Sequence, residues 1–398
     1  MTPAARSLES LLATREIVIF CGSGGVGKTT TAAAAALGAA SELGAKALVL
    51  TIDPARRLAD ALGVEEFGNL ERRVPDDLIR AAGLEPRGEL YAAMLDTKRS
   101  WDELVLRHAP NEETAYRILE NRLYQNIAAR FVQSHDYIAI ERLYDIHASG
   151  RYDLVVIDTP PSRNAIDFLD APKRMADFFG GRLLRWLTMP YRVGGKRGAR
   201  MINFASRPFY QLADRVLGSQ FLQDIAEFFL NFQTMYDGFR TRARGAVERL
   251  LYDRRTSFVV VTTLEGAPLR EGEFFSEQLT TRGFHLGAMV LNRVLPEALL
   301  SDEGARAAAV LAADSESLGK MLSDLDLPEL SDAERNARVL RIASQSFRDF
   351  SVVAKREAEL RNELSRLPDV VASVPAFTDD ISDLDGLARI AAALFGRP

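Results

Sequence analysis

The chain has 398 residues, 47% of them hydrophobic, with 50 Lys and Arg against 55 Asp and Glu for a formal net charge of -5. That is apolar content for one large core with insertions, or for two domains, and the charge balance calls for no nucleic acid and no anionic membrane as partner. Its single cysteine, Cys21, excludes a disulfide framework and paired thiolates for zinc, and fits a reducing cytoplasm.

In chain order, the N-terminal "MTPAARSLESLLATREIVIF" has acidic residues breaking its apolar run, unlike a secretory signal. No later apolar stretch approaches the roughly 20 residues that span a bilayer, so a soluble cytoplasmic protein with no integral membrane segment is expected. Short runs that are apolar on both faces predict buried parallel strands at 16–20, 46–53, 90–96, 153–159, 257–263, 287–293 and 368–375. Helical patterns alternate with them, beginning with the alanine-rich "TTTAAAAALGAA", which predicts an α/β fold, a doubly wound and mostly parallel sheet, which the glycine run at 22–29 makes a P-loop NTPase core. Two helix-periodic segments interrupt the rhythm. The chain therefore divides into core residues 1–171, a helical insertion at 172–253, core at 254–296, a second and more polar helical insertion at 297–366, and a closing strand and helix at 367–398.

The run Gly22-Ser23-Gly24-Gly25-Val26-Gly27-Lys28-Thr29 matches the phosphate-binding pattern G-x-x-x-x-G-K-[ST] in full, between a predicted strand and a predicted helix. Its glycines let backbone N–H groups turn toward phosphate oxygens, and the helix N-terminus at Lys28, Thr29 and Thr30 adds its positive end. Lys28 is expected on the β- and γ-phosphates of ATP and the Thr29 hydroxyl on Mg2+. In "DLVVIDTPP", Asp158 ends a buried strand where open α/β sheets place ligand chemistry, and is expected to bind the magnesium directly or through water. Asp53, at the tip of the strand 46–53, is the candidate that orients the attacking water; capping a helix is the plainer role for it. The four histidines, 108, 135, 147 and 285, lack the clustering of a metal site.

Together, "GSGGVGKTT", "TIDPARRLADALG", "LYAAMLDTKRSWDELV", "RLYDIHASGRYDLVVIDTPPSRNAIDFLDAP" and "VLNRV" resemble the ArsA-type anion-transporting ATPases, which include arsenite-pump ATPases and targeting factors for tail-anchored membrane proteins. The resemblance runs to the C-terminal "SVPAFTDDISDLDGLARI" and is closest to the single-domain bacterial branch. It implies a dimer that closes around ATP and moves a helical subdomain, with Asp53 polarising the water, Asp158 as the magnesium-linked switch acid and Asn292 holding the adenine. Asn292 also reads as a plain strand-end residue. Guanine-specific P-loop proteins carry Asn-Lys-x-Asp; here Leu295 follows Asn292-Arg293-Val294, which favours ATP over GTP.

Three departures from the family pattern matter. The family's loop begins Gly-Lys-Gly-Gly, with a lysine that crosses to the partner's phosphates, and here Ser23 takes that place. The switch sequence reads Asp158-Thr159-Pro160-Pro161-Ser162-Arg163-Asn164, without the family's histidine; Arg163 is either a substitute cation or an exposed loop residue. With one cysteine, thiolate coordination of arsenite is not available. The loop thus fits a homodimer that hydrolyses ATP, a heterodimer with a related lysine-bearing ATPase, or a slowly hydrolysing regulatory subunit. In 172–253, the clusters around Phe178, Trp186, Phe221 and Phe229 are either the insertion's own core or a groove for a hydrophobic client helix.

Overall fold

The computed structural model describes residues 7–52, 57–64, 69–121, 124–125, 134–160, 170–171, 228–231, 250–325, 327–364, 368 and 370–397. The strands are β1 (Ile17–Cys21), β2 (Lys46–Thr51), β3 (Arg72–Arg73), β4 (Glu89–Met94), β5 (Leu154–Asp158), β6 (Thr256–Thr262), β7 (Leu286–Val294) and β8 (Val371–Pro375). They form one eight-stranded sheet in the order β3-β4-β2-β5-β1-β6-β7-β8. Every pairing is parallel except the edge strand β3 on β4. Sequence reasoning located the seven parallel strands and overlooked β3.

The helices are α1 (Leu8–Thr14), α2 (Lys28–Glu42), α3 (Arg57–Leu62), α4 (Asp76–Ala81), α5 (Thr97–His108), α6 (Glu112–Glu120), α7 (Ser134–Ala148) and α8 (Gly266–Thr281), followed by α9 (Asp302–Ala313), α10 (Ser315–Ser323), α11 (Ala333–Leu364) and α12 (Leu384–Leu394). Because side chains alternate across a strand, β1 feeds two cores. Ile17, Ile19 and Cys21 join α5, α7 and α8 on one face of the sheet. Val18 and Phe20 join α1, α2 and α12 on the other.

The alanine helix α2 is buried nearly all round, as a helix apolar on every side must be. Ala32 to Ala36 carry side chains small enough to let it lie close beneath the sheet. Gly38 permits the ring of Phe395, at the end of α12, to touch the helix: a β-carbon there would stand 2.8 Å from its Cζ. The short loop between Cys21 and Lys28 sets the start of α2 beside the carboxyl end of β1, which is where an open α/β sheet presents ligands.

Between β7 and β8 lie α9, α10 and α11, with short 3₁₀ turns at Glu297–Leu300 and Pro328–Leu330. α11 packs one face on its two smaller neighbours. The Ser344 hydroxyl donates to the Ala308 carbonyl at 2.7 Å. Gly304 and Gly319 lie where a β-carbon would strike the Phe347 ring and the α11 backbone, at 2.6 Å in both cases. Leu295, on leaving β7, donates its N–H to Glu357 Oε2 of α11 at 3.0 Å.

Candidate functional site

The phosphate-binding loop joins β1 to α2. Gly22, Gly25 and Gly27 have φ of 149°, 81° and 89°, values that side chains of L-residues disfavour. Left-handed residues between right-handed ones turn successive N–H groups toward one side, making a concave seat for an anion. Gly27 is the N-cap of α2 and gives it no side-chain cap, so the helix presents its positive end to whatever sits in the loop. Thr30 and Thr31 turn their hydroxyls back onto the Gly27 carbonyl, at 2.9 and 2.8 Å, and so brace the first turn. Val26 is buried while Gly24 and Gly25 are exposed, so the loop is anchored beneath and open above.

Lys28 is buried, and its ammonium donates to the Ser23 carbonyl at 2.7 Å, bending back over the loop. Ser23 is itself 8% exposed, and its hydroxyl has no hydrogen-bond partner among the described residues. Thr29 donates its hydroxyl to Asp158 Oδ2 at 2.7 Å. Thr51, the last residue of β2, donates to the same oxygen at 2.9 Å. The parallel register sets Thr51 directly beside Asp158, so two hydroxyls converge on one fully buried carboxylate. Sequence reasoning paired Asp158 with Thr29 but missed Thr51, whose place depends on the β2–β5 register.

Asn292 ends β7 and is 7% exposed. Its amide donates to the Val26 carbonyl at 2.8 Å, and its Oδ1 accepts from the Arg293 N–H at 3.0 Å. A β-carbon on Gly27 would lie 2.3 Å from the Asn292 amide nitrogen. Arg293 has φ 58°, beside a register shift in β7. Asn292 is thus brought to the loop by its own hydrogen bonds to it. Asp53 and Arg163 lie outside the described residues, as does nearly all of 172–253. Among the described residues no group of His, Cys, Asp or Glu is placed to hold a metal by side chains of those types alone. No described helix is long and apolar enough to cross a membrane.

Cys21 closes β1 just before the loop. Burial pushes its thiol up to about 12, against a smaller lowering by the Lys28 charge. A thiol must ionise to attack, so the native chain is expected to resist a maleimide at pH 8 and to react at once on unfolding in urea. Rapid labelling of the native chain would show that the loop opens far enough to bare β1.

The fold and this loop define a P-loop nucleotide-binding protein. The profile of the family described as anion-transporting ATPase matches residues 15–323, most of the chain, and the chain belongs to that family. A putative arsenical pump-driving ATPase 1 of Aquifex aeolicus is 25% identical over 297 residues, covering 72% of this chain and 65% of that protein. The putative arsenical pump-driving ATPase 2 of the same organism is 24% identical, covering 71% of this chain and 81% of its own length. The ATPase get3 of Schizosaccharomyces pombe is 27% identical over 202 residues, 49% of this chain and 56% of that protein. The first and third of these are therefore spanned over less than two thirds of their length.

Proposed function

We propose that this chain binds ATP with magnesium in the loop 22–30 and hydrolyses it, and that nucleotide occupancy changes the arrangement of its helical insertions. The observation that carries the reading is the convergence of Thr29 and Thr51 on Asp158 beside the glycine loop. Since the Thr29 proton points at Asp158, the lone pairs of its oxygen are left to face a cation; a hard ion with oxygen ligands suits that donor set. Thr29 would hold the magnesium directly and Asp158 would orient that ligand. When bound, magnesium neutralises charge building on the β- and γ-phosphates.

The loop N–H groups and the α2 N-terminus bind the phosphates by position and charge. Lys28 has to leave the Ser23 carbonyl to reach them, which makes its present bond an exchange partner for phosphate. Asp53 is proposed as the residue that orients the attacking water, and Asn292 as the residue at the adenine. The insertions are proposed at 172–253 and 297–366, around a core of 1–171, 254–296 and 367–398. We place the protein in the cytoplasm, as a dimer with itself or with a related ATPase. A hydrophobic helix is the client that 172–253 would take.

Ser23 favours a second reading, a subunit that turns over slowly until a lysine-bearing relative completes its site. Supplying a cation in trans is worth about 10³–10⁵ in rate in comparable phosphoryl-transfer machines. The deciding experiment is ATP turnover of the purified chain alone, with Lys28→Ala as blank. Turnover clearly above the blank is expected if the chain is self-sufficient. Nucleotide binding without turnover would support the second reading, and no nucleotide binding at all would overturn both.

A further inference from the structure

The buried Asn292 side chain is held by backbone groups on both of its ends. Its amide nitrogen donates to the Val26 carbonyl at 2.8 Å, and its Oδ1 accepts the Arg293 N–H at 3.0 Å. Both partners have fixed polarity, so the amide fits only one way round. Turned over, it would set N–H against N–H and oxygen against oxygen. The end of β7 is shaped to make this hold. Arg293 is the one non-glycine residue at positive φ among the described residues, and the pairing of β7 with β8 shifts between Leu291 and Val294. The left-handed conformation is unfavourable for an arginine, and here it sets the Arg293 N–H on the Asn292 side chain.

The other end of the amide reaches into the phosphate loop. Val26 and Gly27 share one peptide group, and in a planar trans peptide the carbonyl and the N–H point opposite ways. Drawing the Val26 carbonyl toward Asn292 therefore turns the Gly27 N–H away from it. That N–H makes no hydrogen bond among the described residues. Gly27, at φ 89°, is the residue that lets the loop form, and the same freedom lets this peptide turn over. Turned over, it would present the Val26 oxygen to an anion in place of the Gly27 N–H. The contact that prevents this is close, since a β-carbon on Gly27 would stand 2.3 Å from the Asn292 amide nitrogen.

We propose that Asn292 is a positioning residue for the phosphates: it clamps the 26–27 peptide so that the Gly27 N–H is presented to the bound anion, a task separate from any contact with a base. A side-chain amide has two N–H groups and two lone pairs on its oxygen, so the clamp uses one of each and leaves one of each for adenine. The proposal rests on the reading of the loop 22–30 as the ATP site. Tripolyphosphate separates the two tasks, because it carries the phosphates of ATP and no base. Its affinity for the full-length chain is measured by calorimetry with magnesium present, beside that of ATP. Asn292→Ala is expected to weaken tripolyphosphate about tenfold, in keeping with the loss of one hydrogen bond to a charged group, and ATP at least as much. A variant that merely folds poorly would bind fewer equivalents at unchanged affinity. Asn292→Ser, whose hydroxyl stops one bond short of the Val26 carbonyl, is the second variant and should show the same loss. In a Gly27→Ala chain the added β-carbon already displaces the Asn292 amide, so adding Asn292→Ala there should cost only about threefold or less. Unchanged tripolyphosphate affinity in Asn292→Ala, with ATP alone weakened, would overturn the proposal and leave Asn292 to the base. So would losses that multiply in full in the double variant. A wild-type chain that binds neither ATP nor tripolyphosphate would instead remove the ATP reading itself, and the clamp with it.

Discussion

Gly22→Ala is expected to lose about 3–5 kcal/mol of stability, the sum of a backbone strain and an overpacking cost. The residue follows β1 directly and runs beside β6, with φ at 149°. A β-carbon there would lie 2.1 Å from the Val261 carbonyl oxygen and 3.2 Å from its carbon. Both atoms belong to the backbone of a fully buried strand at the centre of the sheet, so neither can swing aside as a side-chain end would. Gly25→Ala is the control. Its φ of 81° carries a comparable conformational penalty, but nothing lies within 4 Å of the added carbon. It should lose only about 1–2 kcal/mol, the cost of a left-handed L-residue. Urea denaturation of both variants gives the comparison. Equal losses would mean that the approach of the loop to β6 relaxes at little cost. Nucleotide affinity should fall in both, since both reshape the seat for phosphate.

How far such features can be read from sequence depends on how local their causes are. The buried parallel strands are legible because both faces are covered, which leaves runs such as "IVIF" and "LVVID" with no polar alternation. The edge strand β3 is two exposed arginines, Arg72 and Arg73, and an edge guarded by charge carries no apolar signal at all. The glycine loop is legible because the requirement for positive φ falls on residues adjacent in sequence. Thr51 is not, since it reaches Asp158 only through a register set by the whole β2–β5 pair. Asn292 was visible as a strand-end residue, but its bond to the Val26 carbonyl spans 266 positions and depends on the crossing of β7 over the loop. In α11 the exposed Val339, Ile342, Phe350 and Val353 interleave with charged residues, so the pattern alone does not show which positions pack; the contacts of Ser344 and Phe347 with α9 do.

Asp158→Asn should leave the fold in place and remove most of the turnover. The carboxylate is fully buried and holds two hydroxyls at one oxygen. An amide of the same shape either offers its oxygen to those donors, without the charge, or turns its N–H groups toward them and reverses both bonds. In the first case Thr29 keeps its orientation but the negative charge beside the cation is gone. In the second the Thr29 proton is forced toward the space a cation would occupy. Either way the loss falls on a charged transition state, and about 3–4 kcal/mol of lost stabilisation corresponds to roughly 10²–10³ in rate. ATP affinity measured in EDTA should change little, because the loop N–H groups and Lys28 remain. Thr51→Val separates position from charge: it removes one of the two hydroxyls on Asp158 while leaving the carboxylate charged, and should cost about tenfold or less, in keeping with a net hydrogen bond to a charged group of about 1.5 kcal/mol or more offset by the remaining Thr29 bond. If Asp158→Asn and Thr51→Val slow turnover equally, the carboxylate acts as a structural tie between β2, β5 and α2, and the magnesium assignment falls. If only Asp158→Asn does so, and raising magnesium restores part of the rate, its charge serves the cation.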